Sequence, residues 1–197
     1  MNEINFKDED EKDNKRPDPI GEKLMKSRII MITDVITKKL AQTTIGQLLI
    51  LEQEDPEKEI KVFINSPGGD ADAGFAIYDM MKFIKPKIKN ICAGVAASAA
   101  VIILLGADKE SRVSLPNSRI LIHQPSTGVH GTASDIQIEA SEILKCREKI
   151  NRMISDETNR EFKKVENDTK RNYWMSAEEA VEYGLISKII KTQSDLS

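Results

Sequence analysis

Residues 91–107, ICAGVAASAAVIILLGA, run from Ile91 to Ala107 without a charge. This stretch is shorter than the roughly 20 apolar residues a helix needs to span a bilayer. It is rich in Gly, Ala and Ser, and Pro86 and charged residues flank it. It reads as the end of a strand, Lys87–Ala93, which turns at Gly94 into a buried apolar helix, Val95–Leu105.

The same alternation continues on both sides. Upstream, Arg28–Thr33 (RIIMIT) is a short β-branched run and predicts a strand. Ile36–Glu54 spaces Ile36, Leu40, Ile45, Leu48, Leu49 and Leu51 as an amphipathic helix does. Lys58–Ser66 predicts a second strand ending in Pro67-Gly68-Gly69, and Ala71–Ile84 a helix that Pro86 stops. Downstream, Ser111–Leu115 and Arg119–Gln124 read as strands separated by Pro116-Asn117. Gln124–Gly131 reads as a loop. Thr132–Glu161 lacks Gly and Pro and predicts a helix about 45 Å long. That exceeds what a small body needs, so part of it is expected to project or to pack on another subunit. Ser176, with Glu179 three residues on, predicts a capped helix that Gly184 ends. Strands alternating with helices indicate an α/β class with a mainly parallel sheet.

Composition narrows the function. The 197 residues carry 29 Lys+Arg against 32 Asp+Glu, a formal net charge of −3. Residues 1–18 hold seven acids and four bases, so the whole imbalance lies there. Residues 1–19 read as a mobile charged leader, and 20–197 as one domain with no internal boundary. A pI near 5.6 and few aromatics offer no basic, stacking surface for nucleic acid. Two cysteines give neither a disulfide framework nor metal-ligand spacing. The first 20 residues lack the apolar run of a secretory signal. A soluble, cytoplasmic protein without metal, membrane or nucleic-acid partner is expected.

Three places could carry chemistry. His123 ends an apolar strand in RILIHQP, where α/β proteins often place working side chains; a strand-end histidine is also commonly structural. The other histidine, His130, reads as an exposed loop residue. Ser98 sits at a strand-to-helix transition among small residues, where a helix N-terminus favours developing negative charge. It could equally be a small residue in a tightly packed helix. Gly68-Gly69 follows a strand, and adjacent glycines let backbone N–H groups face an oxygen. A plain turn would explain them as well. Neither G-x-G-x-x-G nor Gly-Lys-Ser/Thr is present, which speaks against a nucleotide site.

The surrounding segments are more specific than the single residues. INSPGG…AGFAIYDMM, ICAGVAASAA, SRILIHQP, GTASDIQIEASEILKCREKIN and WMSAEEAVEYGLI together closely resemble the proteolytic subunits of ATP-dependent Clp proteases, the ClpP family. The likeness runs in order from about residue 20 to about residue 190. It implies a crotonase-like ββα spiral with Thr132–Glu161 as a protruding handle helix. It implies Ser98 as nucleophile, His123 as general base, and the N–H groups of Gly69 and Ala99 as oxyanion hole. Gly68, Gln124 and Pro125 fall at substrate-binding positions, with the substrate chain added as a β-strand along Gln124–Gly131. No cofactor is implied. Members form heptameric rings stacked in pairs, and AAA+ Clp ATPases dock on the ring ends and feed in unfolded proteins.

Several positions depart from the family pattern. The third triad member, usually Asp, falls on Asn172, with Asp168 about one helical turn earlier. Asn can accept a hydrogen bond from His Nδ1–H but carries no charge to stabilise the imidazolium. Ala99 stands where Met is usual, Thr127-Gly128 where Gly-Gly is common, and Lys61 replaces an aromatic of the ATPase-loop pocket that Phe63 retains. The expectation is a serine endopeptidase that is weak or conditional alone. The alternative is a scaffold or regulatory subunit activated in a mixed double ring with a paralogue. An acyl-CoA enzyme of crotonase type is a third reading, with no support from the Ser/His pair. Residues 1–18 are expected at the axial pore, where seven copies would form a collar of about −21 before screening.

Overall fold

The computed structural model describes residues 19–196. The charged collar expected of residues 1–18 lies outside them. Helix α1 (Pro19–Lys26) leads into strand β1 (Ile29–Ile32), followed by α2 (Lys38–Glu54), β2 (Ile60–Ser66), α3 (Ala71–Phe83) and β3 (Ile88–Ala97). Next come α4 (Ala99–Leu104), a short 3-10 turn, β4 (Arg112–Ser114) and β5 (Arg119–Ile122). The long helix α5 (Ala133–Thr158) precedes α6 (Phe162–Asp168), β6 (Tyr173–Ser176), α7 (Ala177–Tyr183), β7 (Lys188–Ile189) and a final 3-10 turn.

Helix ends follow side-chain chemistry. Thr37 and Asp70 cap α2 and α3 by accepting from the N–H groups of Leu40 and Ala73. Thr132 with Asp135, and Ser176 with Glu179, form reciprocal capping boxes on α5 and α7. Gly184 ends α7 in the left-handed conformation, as its position predicts. Arg28 is buried at the α1–β1 junction, where its guanidinium donates to the carbonyls of Leu51, Asp55, Lys58 and Glu59. One side chain thereby closes the end of α2 and the turn into β2.

Strands β1, β2 and β3 run parallel, and β3 decides the architecture. Its first half pairs with β4 (Asn90–Cys92 beside Arg112–Ser114), and its second half pairs with β5 (Val95–Ala97 beside Arg119–Leu121). The break falls at Gly94, φ +123°, where a β-carbon would lie 2.5 Å from Asn65 Oδ1. The β2–β3 register shifts between Ile64 and Ser66 at the same level. The strand therefore bends and serves two sets of neighbours. β7 extends the first set from β4 in parallel, and β6 pairs antiparallel with β5 in the second. A continuous core of Ile, Leu, Val and Ala from β1–β3, α2, α3 and α4 fills the space between sheet and helices.

Two boundaries differ from expectation. The strand continues through Ala97, and α4 starts only at Ala99. Val95-Ala96-Ala97 is uniformly apolar and has no period to distinguish strand from helix. Pairing with β5 settles it, because these backbone groups are buried and need partners. Ser98 is consequently the single residue between strand and helix. Helix α5 ends at Thr158, with Asn159 in the left-handed conformation, and α6 is a separate element. Every residue from Gly131 to Glu142 is exposed, so the first turns of α5 stand off the body.

Candidate active site

Ser98 is held in an uncommon backbone conformation, φ +57° and ψ −123°. For a residue with a side chain this costs on the order of 1–3 kcal/mol, which the surroundings must hold in place. They do so from both sides. Ser98 N–H donates to Leu121 O at 3.0 Å, and its carbonyl accepts from Val101 N–H at 2.9 Å. The turn needs an unobstructed neighbour, which Gly68 supplies. A β-carbon on Gly68 would lie 2.5 Å from Ala97 O and 2.7 Å from Ser98 Cβ.

Gly69 lies next to this turn. Ile36 N–H donates to Gly68 O and Asp70 N–H donates to Ile36 O, each at 2.9 Å. This bridge passes over the Gly69 N–H and leaves it out of the pairing. Ala99 is the first residue of α4, so its N–H has no intrahelical acceptor. Both residues line one cavity of about 290 Å³ with Ser98 and His123. The cavity continues along an apolar wall made by Val101, Ile102 and Leu105 on one side and Ile150, Met153 and Ile154 of α5 on the other.

The β5–β6 ladder aligns His123 with Asn172. Ile122 pairs with Tyr173 in antiparallel register, so the next residue on one strand faces the preceding residue on the other. His123 Nδ1 lies 3.1 Å from Asn172 Oδ1. With the amide oxygen accepting, Nδ1 carries the proton and Nε2 is left as a base. Nε2 is buried without a hydrogen-bond partner among the described residues. Ser98 Oγ does not bond it in this state. Arg119 stacked 4.6 Å over the Trp174 ring reinforces the same strand pair.

Asp168, the other carboxylate near this position, is engaged elsewhere. It accepts from Tyr183 Oη at 2.9 Å and pairs with Lys164. Gln124 donates from its backbone to Thr169 O and from its side chain to Lys170 O, which fixes the segment leading to Asn172. Gln124 and Gly68 do not line the cavity and support it from behind, whereas Pro125 lines it. His130 is exposed and outside the lining. The cysteines are poor nucleophiles: burial pushes the Cys92 thiol up to about 11 and raises that of Cys146. No cluster of His, Cys, Asp and Glu able to hold a metal occurs among the described residues. No described helix is long and apolar enough to cross a membrane.

The α5 wall was not legible from single positions. Ile150, Met153 and Ile154 show a helical apolar period, but the opposing α4 wall is fixed only by the tertiary bend at Ser98.

Comparison with known proteins identifies the family and the fold. Residues 11–193 match the Clp protease family model. The chain is 48% identical over 197 residues to the ATP-dependent Clp protease proteolytic subunit 2 of Treponema denticola, covering 100% of this chain and 98% of that protein. Among solved structures it is similar to ClpP1 of Listeria monocytogenes, in a mutant with one Asn replaced by Asp. The TM-score is 0.84 and the identity 42%, covering 90% of this chain and 99% of that one. This chain belongs to the Clp protease family.

Proposed function

We propose that this chain is a proteolytic subunit of an ATP-dependent Clp protease, a serine endopeptidase with Ser98 as nucleophile, His123 as general base and Asn172 as the residue that orients it. The observation that carries this reading is the strained Ser98 turn, which shares a cavity with a histidine whose Nδ1 is tied to Asn172 and whose Nε2 is free to accept. Joining Ser98 Oγ to Nε2 would complete the pair. Catalytic hydrogen bonds are often long or absent before substrate binds.

The steps follow from these positions. Ser98 Oγ attacks the peptide carbonyl while His123 Nε2 takes its proton. The Gly69 and Ala99 N–H groups would hold the oxyanion. The imidazolium then protonates the leaving amine, leaving Ser98 acylated. Water, deprotonated by His123, hydrolyses the ester and restores the serine. Substrate would run as an added strand beside Gln124–Gly131, with an apolar side chain in the α4–α5 pocket. The partners would be copies of this chain in stacked heptameric rings, and a Clp ATPase supplying unfolded protein.

Asn172 favours a second reading in one respect. Without a negative charge opposite Nδ1, the imidazolium is stabilised less, and a homomer could depend on a paralogous ring to bring Ser98 and His123 together. Labelling with a serine-directed fluorophosphonate separates the two. Labelling of purified homomer at Ser98 supports the autonomous enzyme; labelling only after a paralogue is added supports the conditional subunit.

A further inference from the structure

A polar cluster built on the buried Arg112 lies one turn of α5 beyond the pocket residue Met153 and takes no part in the chemistry above. Arg112 on β4 is 1% exposed, yet its guanidinium carries a full charge in the interior. Its Nη2 reaches Glu157 Oε2 at 2.6 Å. Glu157 Oε1 accepts from Tyr78 Oη at 3.2 Å and lies 3.7 Å from Lys82 Nζ, both on α3. Burial and the nearby Glu157 push the Tyr78 hydroxyl up to about 12. Burial also lowers Arg112, with Glu157 opposing it.

The Arg112–Glu157 pair ties α5 to β4, and Asn90, the register neighbour of Arg112, ties β3 to the end of α4. Glu157 follows Ile150 by seven residues and Met153 by four, so all three lie on one face of α5. Asn90 is the register partner of Arg112, so both side chains leave the sheet on the same face. Asn90 Nδ2 donates to Ile103 O at 2.8 Å and Leu104 O at 3.0 Å, at the end of α4. Helix α4 supplies Ala99, Val101 and Ile102 to the cavity. The two helices that form the pocket are thus anchored by adjacent buried side chains.

The cluster is a poor device for stability alone. Arg112 Nε and Nη1, and Asn90 Oδ1, are buried without partners among the described residues. A buried ion pair often stabilises no more than apolar residues of similar size would. What it adds is direction. Ile and Met contacts tolerate sliding of one helix along another, Met especially. A charge pair on a buried guanidinium fixes the distance.

We propose that Glu157, acting through Arg112, is a positioning residue that sets the spacing between the α5 and α4 walls, and with it the size of the substrate side chain accepted beside Ser98. This rests on the serine-peptidase reading above.

The test uses two peptidyl phosphonate diphenyl esters that differ only in the side chain next to phosphorus, one alanine-like and one phenylalanine-like. Each phosphonylates the serine hydroxyl, forming a P–O bond and releasing phenol. The ratio of their second-order rates reads the pocket. The triple variant Arg112→Met, Glu157→Leu and Tyr78→Phe replaces the pair, and the hydroxyl that donates to it, with apolar groups of similar volume and is expected to keep its melting temperature. Its large-over-small ratio should change by about tenfold, the scale on which such pockets discriminate. Glu157→Gln, which keeps shape and loses charge, should shift the ratio in the same direction by less. A ratio unchanged in both variants, or both rates falling by one common factor, overturns the proposal while leaving the peptidase reading intact. If neither probe labels the unaltered protein at Ser98, the peptidase reading falls and this proposal falls with it.

Discussion

At the scale of single residues, the site depends on three backbone positions and one amide. Ser98 occupies its turn because Gly68 leaves room, and Gly69 and Ala99 line the cavity beside it. Gly68→Ala, at φ +92° with a contact of 2.5 Å to Ala97 O, should push the Ser98 turn out of place. Peptide hydrolysis and phosphonate labelling should both fall at least tenfold, while far-ultraviolet circular dichroism still reports a folded chain. In the proposed reaction Asn172 would act differently, orienting His123 without balancing the positive charge that forms on the ring. In the familiar serine-protease triad, Asp to Asn lowers turnover by about 10⁴. Asn172→Asp is therefore predicted to raise kcat for a short peptide with little change in KM, because the added charge acts in the transition state. An unchanged kcat would remove Asn172 from the account. The sequence singles out Ser98, His123 and Asn172 through their distinctive flanking segments, and the fold sets His123 Nδ1 3.1 Å from Asn172 Oδ1 and puts Ser98 on the same cavity as His123. The strain at Ser98 was not legible, because a run of alanines does not reveal where a strand stops.

At the scale of elements, β3 and α5 do most of the organising. The bend at Gly94 lets one strand pair with β4 and then with β5, which places Ser98 beside His123. Gly94→Ala combines an unfavourable φ with a close approach to Asn65. It should destabilise the fold by about 1–3 kcal/mol in denaturant titration. The capping box of α7 was readable in advance, since Ser176 followed by Glu179 three residues later has a direct hydrogen-bonding meaning, whereas that of α5, Thr132 with Asp135, emerged only in the structure. Strands β6 and β7 were not. Tyr173–Ser176 and Lys188–Ile189 are too short to show alternation, and partners distant in sequence create them. The α3–α5 contact carries a pH prediction. The Tyr78 hydroxyl, near 10 when unfolded, is raised to about 12 in the fold. Between these values the unfolded chain has lost the proton and the folded chain holds it. The Tyr78 contribution is present below pH 10 and is lost as pH rises toward 12. Tyr78→Phe should flatten that part of a stability–pH curve; a curve of unchanged slope contradicts it.

At the scale of the whole molecule, the chain presents surfaces suited to assembly. Ile136, Ile138 and Leu144 on α5, and Phe83 at the end of α3, are large apolar side chains open to solvent. Burial between copies in a ring or between rings would account for them. Native mass measurement should give a multiple of seven chains, and a monomer at micromolar concentration would contradict the ring. The charge at residues 1–18 adds a second expectation for the assembled particle. Removing them should alter the entry of long unfolded chains and leave short-peptide cleavage nearly unchanged. The most direct test of the central claim is site mapping of a fluorophosphonate adduct by mass spectrometry, with and without a paralogous ring. The account predicts one adduct, on Ser98, that is lost in His123→Ala although the serine is still present. An adduct on another serine, or labelling of Ser98 that is indifferent to His123, would contradict it.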